Sequence, residues 1–287
     1  MALDLVSNLQ KYSRAVLLTA AILIPIQLWS PGSAAAASVF EHTKIEAAHG
    51  ETTKKKEKAK ARKPDMSWSK LQKQFPGTFV IHGPRNKKRV ALTFDDAPDS
   101  RFTPAVLDVL AKYDVCATFF VVGSRAAQKP DLVRRMSREC HAVGNHSYNH
   151  AVMSKLSKEA FRKQISRTDA IVNGIIGYHP RYIRPPYGEI LPAQVAWAKK
   201  NQFVVVNWDV DSVDWRNNPS TETVLRNIRR TLQPGSIILQ HAGGGSSQDL
   251  SGTVNALPRL ISSLRQKGYE FVTLPELLGK PAYKNQK

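Results

Sequence analysis

The feature that limits this chain most is an alternation. From about residue 76 onward, short apolar runs alternate with longer stretches of helical period, and nearly every apolar run ends in something polar. The runs lie at 90–95, 117–121, 142–144, 182–184, 203–208, 236–240 and 270–273. Between them the spacing predicts helices near 104–113, with Thr103 as N-cap and Pro104 at the first helical position, then from Pro130, after Ser157, and near 191–200, 221–232 and 254–267. Strand and helix repeated this often specify a parallel sheet, open or closed into a barrel. In such a fold the strand ends open on one face, and chemistry gathers there.

The polar residues at those ends are unusual. Val90 to Pro98 runs from apolar residues into the adjacent carboxylates Asp95 and Asp96. Alone, Asp-Asp-Ala-Pro also reads as a plain turn. Two neighbouring carboxylates at a buried strand end need a positive partner, either a metal ion or an arginine. His146 and His150 follow the third run, and Arg184-Pro185-Pro186-Tyr187-Gly188 ends the fourth. Asp209, Asp211, Asp214 and Trp215 follow the fifth, and His241 ends the sixth.

Two imidazoles four residues apart point the same way on a helical turn and can share one ion. With a carboxylate from the first strand end they make a His-His-Asp set suited to zinc or another late first-row divalent ion. The second Asp is then a candidate base, with Arg184 as its counter-ion, and His241 a candidate acid. The Asp211-to-Trp215 segment offers a carboxylate to orient His241 and an aromatic wall. Read singly, Arg184 is also a surface residue beside a turn, and His241 and Trp215 are also ordinary core residues.

The formal charge of +19 calls for an acidic partner. Nucleic acid is one class, and an anionic wall polymer or membrane surface is another. The N-terminus favours the second. Residues 1–37 have the form of a secretory signal: Lys11 and Arg14, an apolar stretch from Ala15 to Trp29, and a small-residue cleavage site at Ala35-Ala36-Ala37. An uncleaved membrane anchor is the alternative, although the apolar run is shorter than the ~20 residues a span needs. Residues 38–74 read as a basic, disordered linker, with seven basic residues against Glu57 between Lys54 and Lys63. It is either a plain spacer or an adhesive for an anionic surface. A folded domain is expected over 75–280, followed by a tail at 281–287. The chain is expected to be an extracytoplasmic monomer of bacterial type that does not bind nucleic acid.

In this order, the motifs resemble those of the NodB-homology polysaccharide deacetylases, carbohydrate esterase family 4. Thr93 to Pro98 is similar to that family's Thr-Phe-Asp-Asp-Gly-Pro, and His146 to His150 to its His-[Ser/Thr]-x-x-His. Arg184 to Gly188, Asp211 to Trp215 and Leu239 to His241 resemble its remaining three motifs. The likeness spans roughly residues 88–278. It implies a distorted (β/α) barrel, with seven parallel strands expected here. It also implies Asp95 as general base and Asp96, His146 and His150 as metal ligands, with Zn²⁺ favoured over Co²⁺ or a similar ion. Arg184 would orient the base, and His241, tuned by Asp211, would be the acid. The Tyr187 N–H would stabilise the oxyanion, and Pro186, Trp215 and Leu239 would face the substrate. The implied reaction is hydrolysis of an N-acetyl group on a polysaccharide. Peptidoglycan is the first expectation and chitin-type oligomers the next. The alternatives are an inactive sugar-binding or scaffold member of the fold, or an amidase for small substrates.

One position departs from the pattern: Ala97 stands where the family usually has glycine. If that residue needs a positive φ, alanine costs about 1 kcal/mol. If it does not, the change is harmless, and activity is expected to survive. The fold implied by the resemblance also sets Cys116 and Cys140 on neighbouring strands, close enough to pair. Two separate buried thiols are the other reading.

Overall fold

A computed structural model of the chain describes residues 67–284. The expected signal at 1–37 and the linker as far as residue 66 lie outside the described residues. Nine strands form one parallel sheet: β1 (Phe79–Val80), β2 (Arg89–Ala97), β3 (Thr118–Val121), β4 (Ala142–Asn145), β5 (Tyr182–Ile183), β6 (Val204–Val206), β7 (Val210–Asp211), β8 (Ile237–His241) and β9 (Glu270–Phe271). The order is β1-β6-β5-β4-β3-β2-β8-β7, and β9 pairs with the start of β2. No ladder joins β1 to β7 among the described residues, so the sheet is a curled, open half-barrel. A single bridge between His82 and Ser236 spans part of the opening.

The expected distorted barrel is therefore present, with nine strands in place of seven. The two additional strands, β1 and β7, have two residues each. Such short strands display no periodicity by which a sequence could reveal them.

Side-chain alternation divides the sheet into two faces. Val90, Leu92 and Phe94 of β2 point outward with Phe119, Val121 and Ile238. They pack on Val106, Leu107 and Leu110 of helix Phe102–Lys112, and on Leu257, Leu260 and Ile261 of helix Ser251–Gln266. Burying each such side chain stabilises the fold by roughly 1.5–3 kcal/mol. Ala91, Phe120, Tyr182, Val204, Val206 and Ile237 point inward and fill the barrel. The same two-residue period carries Thr93 and Asp95 inward on β2, and Leu239 and His241 inward on β8. The apolar plug thus gives way to charged residues and imidazoles at the C-terminal mouth.

Several boundaries differ from the sequence reading. Residues 68–74, expected as the end of the linker, form a helix capped by Ser67, with Leu71 buried. Trp68, Leu71 and Phe75 lie on one side of it and join a core cluster with Phe79. The expected tail is docked as far as Lys284. Tyr283 stacks on Tyr178 with ring centroids 4.3 Å apart, and Lys284 Nζ lies 3.2 Å from Asp169. Thr103 is not the cap of its helix, which begins at Phe102. Its hydroxyl instead donates to the Ala242 carbonyl at 2.7 Å, tying that helix to the end of β8. Cys116 and Cys140 are disulfide-bonded, with Cα atoms 5.5 Å apart.

Candidate active site

Register brings the site together. The parallel pairing of β2 with β8 sets Asp95 beside His241. His146 is the first residue past β4, and its N–H donates to Val121 at the end of β3. Arg184 is the first residue past β5, and its N–H donates to Asn145 at the end of β4. Residues from four strand ends therefore meet at one mouth of the barrel.

In a regular strand Asp95 and Asp96 would face opposite sides. Here Asp96 has a φ of 63°, and the β2–β3 register shifts between Phe94 and Ala97. The kink turns both carboxylates into the same pocket. Asp96, His146 and His150 offer three ligand atoms within 4.8 Å of one another. Asp96 Oδ1 is 3.3 Å from His150 Nε2 and 3.8 Å from His146 Nε2. That Oδ1 is buried and has no hydrogen-bond partner, a costly state that a cation would relieve. His146 Nδ1 lies 2.8 Å from the Arg184 carbonyl, so it carries the proton and Nε2 presents its lone pair to the cluster. Burial pushes the His146 imidazole down to about 3, which keeps it neutral as a ligand must be. These residues fit a divalent metal ion.

The two histidines do not sit on a helical turn. Residues 146–150 form a loop with Ser147 at φ 65° and His150 at φ 60°. Ser147 N–H donates to Asn145 Oδ1 at 3.0 Å, and Tyr148 and Asn149 N–H donate to Gln164 Oε1 at 2.8 and 3.2 Å. Side-chain acceptors hold the loop where helical hydrogen bonds would otherwise act.

Asp95 is buried and accepts from Arg184 Nη1 at 2.9 Å. Its other oxygen is 3.7 Å from His146 Nε2 and faces the metal-ligand cluster. Arg184 is fully buried. It also donates to Thr93 Oγ1 at 2.8 Å and to the Val206 carbonyl at 3.1 Å, and its guanidinium lies over Phe120. Burial lifts the Asp95 carboxyl above its ordinary range, against the opposing pull of Arg184 and His241.

His241 departs from expectation in its partner. Its Nδ1 meets Asp214 Oδ1 at 2.7 Å, and its N–H donates to Asp214 Oδ2 at 2.8 Å. Thr253 completes the carboxylate's shell at 2.7 Å. Asp211, the partner implied by the family motif, accepts instead from Val213 N–H at 2.7 Å and lines the pocket. The cause is local: Val213 takes a φ of 55°, rare for a β-branched residue, and the chain folds back so that the second Asp enters the core. Burial opposes charge on His241, but Asp214, with help from Asp95 and Asp96, lifts it to about 9. Burial also opposes ionisation of Asp214, yet His241 and Thr253 hold its carboxyl below the usual range. Burial raises Asp211.

The pocket holds about 390 Å³ and is lined by Asp95, Asp96, His146, His150, Tyr187, Asp211, Trp215, Leu239 and His241, all singled out in the sequence. Trp208 and Gln248 also line it and were missed. Trp208 lies within the 203–208 apolar run and reads as strand; its place just before Asp209 was the available signal. Gln248 sits in a Gly- and Ser-rich loop with no motif of its own. Pro186 is buried in the turn behind Tyr187 and does not line the pocket. Asp209 lies outside the pocket, accepting from Arg85 at 2.8 Å and Ser236 at 3.0 Å. Ala97 is not among the residues with positive φ, and its methyl is buried in the core. The departure from glycine therefore carries no conformational penalty.

The family model for polysaccharide deacetylases matches residues 82–206. The chain is 44% identical over 211 residues to a peptidoglycan-N-acetylglucosamine deacetylase of Bacillus cereus, covering 74% of this chain and 76% of that one. Among solved structures it resembles the Bc1960 peptidoglycan N-acetylglucosamine deacetylase bound to 4-naphthalen-1-yl-N-oxidanyl-benzamide. That match has a TM-score of 0.72 and 42% identity, over 75% of this chain and 99% of that one. It also resembles a CE4 family pseudoenzyme of Bacillus anthracis, with a TM-score of 0.65 and 30% identity, over 71% of this chain and 70% of that one. The chain belongs to the polysaccharide deacetylase family, carbohydrate esterase family 4. The pseudoenzyme among these relatives means that activity must be argued from the site and not from the fold.

Proposed function

We propose that this protein is a metal-dependent N-deacetylase acting on N-acetylglucosamine units of peptidoglycan. The observation that carries the reading is one pocket with an Asp-His-His cluster and Asp95 on one side and a carboxylate-held His241 on the other. A divalent ion in the cluster, Zn²⁺ by the chemistry of its donors, supplies Lewis-acid polarisation of the acetyl carbonyl and makes nearby water more acidic. Asp95, made more basic by burial and steered by Arg184, takes a proton from the attacking water as its oxygen adds to the carbonyl carbon. Tyr187 lines the pocket, and its N–H would be the donor to the oxyanion that develops. His241, protonated at neutral pH, gives its Nε2 proton to the amide nitrogen as the C–N bond breaks. The products are acetate and a free amine on the polymer. Trp215 and Trp208 offer aromatic walls to the sugar, and Leu239 offers an apolar one to the methyl group.

The close Bacillus cereus relative supports peptidoglycan over chitin and supports a bacterial, extracytoplasmic setting. The signal-like segment 1–37 is proposed to export the chain, and the basic run Lys54–Lys63 to hold it to an anionic wall polymer. The test is acetate release from peptidoglycan and chitin oligomers by metal-stripped protein before and after adding Zn²⁺, with Asp95→Asn as control. Release that requires the ion and fails in the variant supports the reading. No release with stoichiometric zinc bound makes the protein an inactive member of the family.

A further inference from the structure

We propose that Trp68, in the short helix Trp68–Gln74 ahead of β1, is a positioning residue for the Tyr187–Gly188 turn. The inference rests on the deacetylase reading, in which the Tyr187 N–H is the donor to the oxyanion. Trp68 lies outside every motif described above and 120 residues from the turn. Its indole Nε1 donates to the Gly188 carbonyl at 3.1 Å. Asn207 Nδ2 donates to the same oxygen at 3.0 Å, so both lone pairs of that carbonyl are engaged.

The packing is as specific as the hydrogen bond. A Cβ on Gly188 would lie 2.4 Å from Trp68 Cζ2, so the indole rests flush against the Gly188 backbone. The ring also meets Trp208 edge-on, with centroids 4.9 Å apart, and Trp208 lines the pocket. Leu71, three residues on, is buried and fixes the helix in place.

The turn needs such support. Tyr187 and Gly188 are consecutive left-handed residues, at φ 61° and 68°. Tyrosine holds that conformation only where its surroundings impose it. Tyr187 itself is 63% exposed, and its ring is held by an edge-on contact with His150 at 4.9 Å between centroids. The turn's own bonds, from Gly188 N–H to the Pro185 carbonyl and Glu189 N–H to the Pro186 carbonyl, are local, and the clasp on Gly188 ties it to the rest of the domain, from a helix that the sequence places at the end of the basic linker. An oxyanion donor gains most when it is already aimed before reaction, so loosening the clasp should affect the transition state more than substrate binding.

The experiment uses the full chain with Zn²⁺ and compares wild type, Trp68→Phe and Trp68→Ala on peptidoglycan and on N-acetylglucosamine oligomers. Trp68→Phe keeps an aromatic ring and removes the donor. Its kcat is expected to fall about tenfold, equivalent to ~1.4 kcal/mol, with KM and zinc stoichiometry unchanged. Trp68→Ala is expected to fall further. Unchanged kcat in zinc-loaded, folded variants overturns the proposal. So does a fall that only tracks lost zinc or lost folded protein, or one confined to KM. Wild type that binds zinc but releases no acetate instead removes the deacetylase reading, and this inference with it.

Discussion

His146 and His241 line the same pocket and differ in charge. His146 is pushed down to about 3 and stays neutral; His241 is lifted to about 9 and is protonated at neutral pH. Burial acts on both rings in the same direction. The difference lies in what each Nδ1 touches: a backbone carbonyl for His146, a buried carboxylate for His241. A neutral acceptor fixes a tautomer and leaves Nε2 as a lone pair for a metal. A charged acceptor stabilises the imidazolium and leaves Nε2 as an acid. The atom behind each ring thus suits one residue type to the two roles proposed for it.

Substitutions can break this contrast. The largest expected effect is His146→Ala, which removes a ligand from the Asp96-His146-His150 cluster. Zinc binding, read by chelator competition, and acetate release should both be lost. Asp214→Asn should come next. It keeps an oxygen to accept from the His241 N–H but removes the negative charge that faces Nδ1, and kcat should fall about 10²–10⁴-fold, the range for general acid–base catalysis. Asp211→Asn, which leaves the His241 hydrogen bond intact, should cost much less. If the Asp211 variant proves the more damaged of the two, the assignment of Asp214 is wrong.

The contrast also has a stability side. His241 has a folded pKa above the unfolded value near 6.5, so its contribution is complete below pH ~6.5 and is lost as pH rises through about 9. His146 has the reverse sign: its contribution is present above pH ~6.5 and is lost as pH falls toward about 3. Thermal unfolding of the metal-free protein should show both slopes, and His241→Gln should remove the alkaline one.

Smaller effects sharpen the account away from the histidines. Reducing the Cys116–Cys140 bond, which joins positions 24 apart, should destabilise the domain by about 3 kcal/mol on loop-entropy grounds. A fall in Tm that leaves zinc-dependent kcat intact below the transition is the expected result. Ala97→Gly should leave kcat unchanged and cost about 0.5–1 kcal/mol, because Ala97 needs no positive φ. A many-fold gain in turnover would contradict that.

Much of the site was legible in the sequence because it sits at strand ends. Apolar runs ending in Asp95, Arg184 and His241 announce both the sheet and its reactive mouth, and side-chain alternation does the rest. What was not legible depends on backbone torsions that no residue type advertises. The spacing Asp-x-x-Asp gives no sign that Val213 turns left-handed and sends Asp214, not Asp211, to His241. His146 and His150 converge through a loop braced by Gln164 of the α-helix that follows it, not through helical period. The helix at Trp68 was hidden because Lys70 and Lys73 extend the basic composition of the linker across it. β1 and β7 were too short to carry a pattern.

The most direct test of the histidine contrast is the pH–rate profile of zinc-loaded wild type beside Asp214→Asn. The account predicts a wild-type profile that falls at high pH as His241 loses its proton. That limb lies at about 9, or lower once the bound ion offsets the Asp95 and Asp96 charges. In Asp214→Asn the limb should move to clearly lower pH. A limb that stays put in Asp214→Asn and moves in Asp211→Asn would contradict the account.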